Sequence, residues 1–310
     1  IYLGLIVLFI YIFIKKLRSD EISIRAALPV GITLFIFNVL DSVIRIEHFD
    51  IEFLLIRLII SPVLMGFVGV IVVSCADAIT RDVWNEKLLT YDSLLRGHVR
   101  HRLFGQSIIR GVLFGFILIG ATTLLLKCVS FSVPVNIAAE SHNIADINSH
   151  FPFLYRFASN FNSLIWAQFV FVLFLASFFA RYFNRHAWLV LSAGLFWGFG
   201  YGLTNIITSP VIAAILYFIL MGIFFIILFL KYDFLTSFVA QFTHILVFES
   251  VRMIYFDNIN FIIGGAFFAG IIVLMILLGI SGLGNIIQKD ELLKYSPQHV
   301  KKIFERERLK

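Results

Sequence analysis

The sequence predicts an all-α protein, a polytopic bundle of about nine membrane-crossing helices. Three observations predict it. Sixty per cent of the 310 residues are hydrophobic and 14% are charged, whereas a soluble domain carries about a quarter charged residues. Runs of roughly 18 or more residues almost free of charge recur along the chain. Those runs are unbroken, and a lipid-exposed barrel would instead alternate apolar and polar residues over strands of about ten. Helices are the remaining way to satisfy every backbone group in lipid.

The elements follow in order. The first apolar run, 1–14, is too short to cross alone and opens on Ile1. Further residues are therefore expected upstream, up to a whole domain. A signal peptide fits poorly, because no basic segment precedes the run and no small-residue cleavage site follows it. Spans are predicted at 26–44, 51–77 and 107–128, which closes an N-terminal unit over 1–128. Within it, "AITRDVWNEKLLTYDSLLRGHVRHRLFGQ" at 78–106 sets Val83, Leu88, Leu89, Leu94 and Leu95 at helical spacing among charges. That pattern predicts amphipathic helices lying on the cytoplasmic face.

Residues 129–160 read as an exoplasmic loop. A C-terminal core follows over 161–285, with spans at 161–180, 188–207, 211–230, 234–256 and 261–285. Gly264, Gly265 and "GISGLG" at 279–284 suit close helix packing or a helix end. A basic tail closes the chain at 286–310, and its Pro297 can start a second short helix.

Orientation follows from the basic residues. With the 15–25 loop placed in the cytoplasm, alternation puts all but Arg45, Arg57, Lys127, Arg156 and Arg252 of the 25 basic residues there, the tail included. The net charge of +6 is thereby explained without a nucleic-acid partner. Membrane lipids are the partners it implies.

Metal and cofactor signals are weak. His98 and His101 are three apart but lack a third ligand, and a solvated basic face is the simpler reading. His142, Asp146 and His150 share a helical spacing, against which a capping loop is favoured. There is no nucleotide-binding glycine loop. Cys75 and Cys128 form no CxxC site and read as buried packing thiols. No cofactor and no metal are predicted.

One buried ionisable residue stands out. In "FVAQFTHILVFES" at 238–250, His244 lies in the middle of a predicted span. Burying such a group is costly, which makes it a functional candidate. Arg57 and Arg252 are others, and Arg252 has Glu249 one turn back as a partner. Gln168 in "LIWAQFVFVLF" and Tyr201 in "LSAGLFWGFGYG" lie in neighbouring spans. The predicted topology puts Gln168, Tyr201 and His244 at about 10, 9 and 18 Å from the exoplasmic end. They are expected to line one cavity.

The run from Ala167 to Tyr201, with "LTSFVAQFTHILVF" at 235–248, resembles the CPBP family of CAAX-protease and bacteriocin-processing membrane proteins. The likeness lies in motif spacing, hydrophobic texture and phrases such as "WLVLSAGLFWGFGYG", over about residues 155–256. Residues upstream, with "RDVWNEKLLTYDSLLRG", resemble longer bacterial members more loosely.

The family carries Glu-Glu-x-x-x-Arg, then Phe-x-x-x-His, then His-x-x-x-Asn on successive helices. Here Gln168 and Phe169 stand at the paired glutamates, Leu173 at the arginine, Tyr201 at the first histidine and Phe248 at the asparagine. Only His244 is kept. The resemblance implies a core for activating a water near the membrane, but that chemistry needs a carboxylate base or a ligated metal. Gln168 and Phe169 supply neither.

The expected protein is therefore proteolytically inactive, with no catalytic residue assigned. It would act as a scaffold, an accessory subunit of a membrane complex or a binder of a membrane ligand, in the bacterial inner membrane with its C-terminus cytoplasmic. His244 is expected to bond Tyr201 or Gln168. The alternatives are an active CPBP-type endopeptidase, for which Glu249 is the best candidate base, and an unrelated transporter.

Overall fold

The structure is a computed structural model. It describes residues 2–19, 21–44, 55–137, 152–183, 185–200, 208–255 and 259–284. The described chain is helical apart from short turns and one pair of two-residue strands.

Helices α1 (Tyr2–Arg18) and α2 (Ile24–Ile44) come first. A π-helical turn, Leu55–Ile60, carries Arg57 and leads into α3 (Ser61–Trp84). A 3₁₀ turn, Asn85–Leu88, then folds the chain into the short α4 (Leu89–Leu95). Helix α5 (Arg102–Ser130) is followed by strand β1 (Asn136–Ile137). Helix α6 (Pro152–Trp166) widens into a nine-residue π-helical stretch, Ala167–Leu175, and tightens again as α7 (Ala176–Ala180). Then come α8 (His186–Gly200), β2 (Thr208–Ser209), α9 (Val211–Lys231), α10 (Phe234–Ile254) and α11 (Ile259–Leu283).

Seven stretches are long and apolar enough to cross a membrane: Ala26–Ile44, Leu55–Leu95, Arg102–Ser130, Phe153–Ala180, Val211–Lys231, Phe234–Ile254 and Ile259–Leu283. They coincide with seven of the nine predicted spans. The remaining two predictions correspond to α1, of 17 residues, and α8, of 15 described residues, both too short for that measure.

Residues 152–160, expected in the exoplasmic loop, form the first turns of α6, and two further places depart from the sequence reading. Residues 78–95 do not lie on a surface as an amphipathic segment. Ala78 through Arg81 are buried at the end of α3, and Leu88 of the 3₁₀ turn and Leu89 through Ser93 of α4 are buried as well. The 3₁₀ turn tucks the segment back into the bundle, where its polar groups find partners. The second concerns the thiols: Cys75 is buried, with its Sγ 3.5 Å from the Phe9 carbonyl oxygen, but Cys128 is exposed.

Glycines let the helices close up. A Cβ at Gly105 of α5 would stand 2.5 Å from the Gly279 carbonyl oxygen of α11, and one at Gly282 3.0 Å from that of His101. Gly264 and Gly265 likewise press α11 against Phe153 of α6 and the Ser250 carbonyl of α10. Small residues at such contacts drive association where lipid removes the hydrophobic effect.

The connections sort into two ends. At one end Asp82 accepts from Lys16 and from Arg181, joining the last turn of α1, the end of α3 and the turn after α7. At that same end Lys87 Nζ donates to the Leu230 and Tyr232 carbonyls at the close of α9, at 2.6 and 2.8 Å. At the other end β1 pairs antiparallel with β2, Asn136 opposite Ser209, which ties the chain after α5 to the start of α9. The tail at 286–310 and the triplet His142, Asp146 and His150 lie outside the described residues.

Candidate functional site

Helix α10 begins at a strong cap. Asp233 is extended, and its Oδ1 accepts from the Thr236 N–H at 2.7 Å, satisfying one orphan donor of the first turn. One face of the helix is then polar. Ser237, Gln241 and His244 are spaced four and three apart, so they stack along one stripe. All three are buried.

Helix α9 runs antiparallel along that stripe. Ser237 Oγ donates to the Phe225 carbonyl at 3.1 Å, and two turns further on His244 Nε2 meets Tyr217 Oη at 3.3 Å. The π-helical stretch flanks the other side. Gln168 Nε2 donates to Gln241 Oε1 at 2.6 Å, and Ser237 Oγ lies 3.2 Å from Gln168 Oε1. Gln168 has no exposed surface.

The helix carrying Gln168 thus packs on the helix carrying His244. Gly200, the residue before Tyr201, also meets the π-helical stretch, because a Cβ there would stand 3.0 Å from the Phe171 ring. Tyr201 itself lies outside the described residues. The other motif positions point elsewhere. Phe169 stacks edge-on to Phe234 and Tyr91, the Leu173 carbonyl accepts from Thr80 Oγ1 at 3.3 Å, and Phe248 is half-buried.

Of the two partners expected for His244, Gln168 is corrected, and Tyr201 lies outside the described residues. Gln168 bonds Gln241 and Ser237, which lie earlier along the stripe, so its amide is already engaged. Tyr217 takes the imidazole because it faces His244 across the α9–α10 contact. Tyr217, Gln241 and Ser237 were not singled out from sequence; the four-and-three spacing of Ser237, Gln241 and His244 was the available signal.

Chemically, the middle of this seam is neutral. Amides, a hydroxyl and an imidazole can donate and accept hydrogen bonds, but none is a carboxylate base. The acids sit at the two ends of α10 and face other helices. Asp233 Oδ2 accepts from Thr90 Oγ1 at 3.1 Å and from Ser107 Oγ. Glu249 Oε1 accepts from Asn160 Nδ2 of α6 at 3.1 Å and stands 4.0 Å from Arg252. Among the described residues no three His, Cys, Asp or Glu side chains cluster as a metal site would require.

A second polar cluster escaped the sequence reading. Arg81, read from sequence as a cytoplasmic loop residue, is buried between two carboxylates. Its Nε and Nη2 reach Asp77 at 2.8 Å each, while Nη1 and Nη2 reach Asp92 at 2.9 and 2.6 Å. The doubly bidentate fork fastens α4 onto α3. The only sequence signal was Asp77 and Arg81 at i, i+4 inside an apolar run.

His101, grouped with His98 as a weak metal pair, is a buried helix cap. Its Nδ1 accepts from the Phe104 N–H at 3.2 Å and its Nε2 lies 2.9 Å from Ser93 Oγ. His98 is exposed, with its Nδ1 3.0 Å from the Arg96 carbonyl oxygen. The two rings are thus committed to different partners. Set beside known proteins, the chain matches no family model, no curated protein and no solved structure.

Proposed function

We propose that this chain is a multi-pass membrane protein with a CPBP-like core that does not cleave peptides, and that it works as a scaffold or accessory subunit of a membrane complex. The basic loops and the C-terminus face the cytoplasm of a bacterial cell in this reading. The observation that carries it is the engagement of Gln168. At a position where the resembling family has a glutamate, this chain has a buried amide bonded to Gln241 and Ser237. An amide accepts no proton at usable pH, so a water placed there gains no nucleophilicity. The neighbouring stripe along α10 holds the helices in register instead.

The test is direct. Purified protein in lipid nanodiscs is incubated with prenylated and unmodified peptide libraries, and the products are read by mass spectrometry. The libraries are expected to stay intact, and His244→Ala is expected to lower the melting temperature through the lost Tyr217 bond. Reproducible cleavage abolished by His244→Ala or Glu249→Gln would overturn the reading in favour of an active endopeptidase.

A further inference from the structure

Tyr232, just past the end of α9, has cations from two different helices against its ring. The Arg110 guanidinium carbon stands 5.2 Å from the ring centroid and Lys231 Nζ 5.5 Å. Both cations are exposed, and contact with the same aromatic ring restricts side chains that would otherwise wander. The nearby Asp233 carboxylate points elsewhere, accepting from Thr90, Ser107 and the Thr236 N–H. Lys87 is committed to the α9 carbonyls. Among the described residues the one hydrogen bond of Arg110 is a long one to Gln106, at 3.5 Å.

An apolar track continues from this pair. The Phe114 ring lies 5.5 Å from Tyr232 and 6.1 Å from Phe224, lining the seam between α5 and α9. Along α5 from Arg110, the side chains of Leu113, Phe116, Ile117 and Leu124 are exposed at helical spacing. A paired cation head above an exposed apolar track matches an amphipathic anion. The geometry points to a binding site for an anionic phospholipid, with its phosphate at Arg110 and Lys231 over Tyr232 and an acyl chain along the outer face of α5. The Arg110 fork matches phosphate oxygens, Lys231 adds a point charge, and a soluble anion would make no use of the track.

The test uses the full chain, with retained lipid counted by native mass spectrometry after exchange into mixed phosphatidylglycerol and phosphatidylcholine micelles. The wild type is expected to retain phosphatidylglycerol with about tenfold preference, the scale that two interfacial cations supply. Arg110→Gln/Lys231→Gln should abolish the preference. Arg96→Gln/Arg102→Gln, with the same change in net charge at exposed positions away from the ring, should keep it. Arg110→Lys/Lys231→Arg should also keep it, and serves as the deciding variant where the glutamine pair fails to fold. Equal loss in both glutamine pairs, loss in the exchanged pair, or no preference in the wild type would overturn the site. Full competition by inorganic phosphate alone would overturn it too, in favour of a free-anion site.

Discussion

At the residue scale, His101 shows how one bond fixes a tautomer. Nδ1 accepts from a backbone N–H and so carries no hydrogen, which leaves Nε2–H to donate to Ser93, whose own hydroxyl donates to the Thr90 carbonyl at 2.7 Å. Protonation would remove the cap. Burial holds the imidazole below its ordinary value of 6.5, repulsion from His98 adds to this, and a backbone contact at His98 opposes it. Among the described residues no carboxylate contributes to that balance. The folded state therefore binds the proton less readily than the unfolded chain. Its contribution to stability is complete above about 6.5 and is lost as pH falls from there towards the lowered value. Melting curves recorded from pH 8 to 5 should show this loss in the wild type and a flatter response in His101→Asn, which keeps a cap but does not titrate. Equal pH slopes would refute the assignment.

Arg81 belongs to the same scale. Arg81→Leu leaves Asp77 and Asp92 buried without their partner, and the expected cost is about 3–5 kcal/mol, read as a large drop in melting temperature. Replacing all three together, by Asp77→Asn, Arg81→Met and Asp92→Asn, should cost clearly less, because no lone charge is stranded. A triple variant less stable than Arg81→Leu would show that the network contributes more than mutual neutralisation.

At the element scale, α5 offers a controlled comparison between two glycines. A Cβ at Gly105 meets the backbone of α11 at 2.5 Å, which cannot retract like a side chain, whereas at Gly120 it meets nothing within 4 Å. Gly105→Ala is expected to cost about 1–3 kcal/mol by forcing the helices apart. Gly120→Ala should be neutral, or stabilising by up to about 1 kcal/mol, because alanine is the better helix former. Thermal melting in detergent separates the two; similar shifts would mean that the α5–α11 contact is not close-packed.

Element by element, the sequence showed helices well and partners poorly. The Gly264–Gly265 pair, Gly279 and Gly282 were readable as close-packing sites, since small residues in an apolar helix have few other uses, whereas Gly284 follows the helix end. The fate of 78–95 was not readable. An amphipathic pattern describes a helix with one apolar face equally well on a membrane surface and inside a bundle. The polar residues Thr90, Asp92 and Ser93 are buried because Asp233, Arg81 and His101 come to meet them.

At the scale of the whole molecule, the end-to-end sorting of connections gives a topology prediction. In a background lacking Cys75 and Cys128, single cysteines at Glu86 and Tyr182 should react with a membrane-impermeant maleimide from one side, and one at Ser132 from the other. All three positions are exposed, and Lys16, Asp82 and Arg181 tie the first two to one end. Labelling of 86 and 132 from the same side would break the arrangement.

Hydropathy alone determined that the chain is a helical bundle with spans long enough for a membrane, because unpaired backbone in lipid leaves few other options. The helices carrying Gln168 and His244 pack together, with Gln168 bonded to Gln241 three residues before His244. Tertiary structure decided what each polar group bonds to. Tyr217 lies 27 positions from His244, Gln241 lies 73 from Gln168 and Asp92 lies 11 from Arg81. A buried hydrogen bond depends on which helix faces meet and in what register, and one-dimensional periodicity specifies a face without specifying its neighbour.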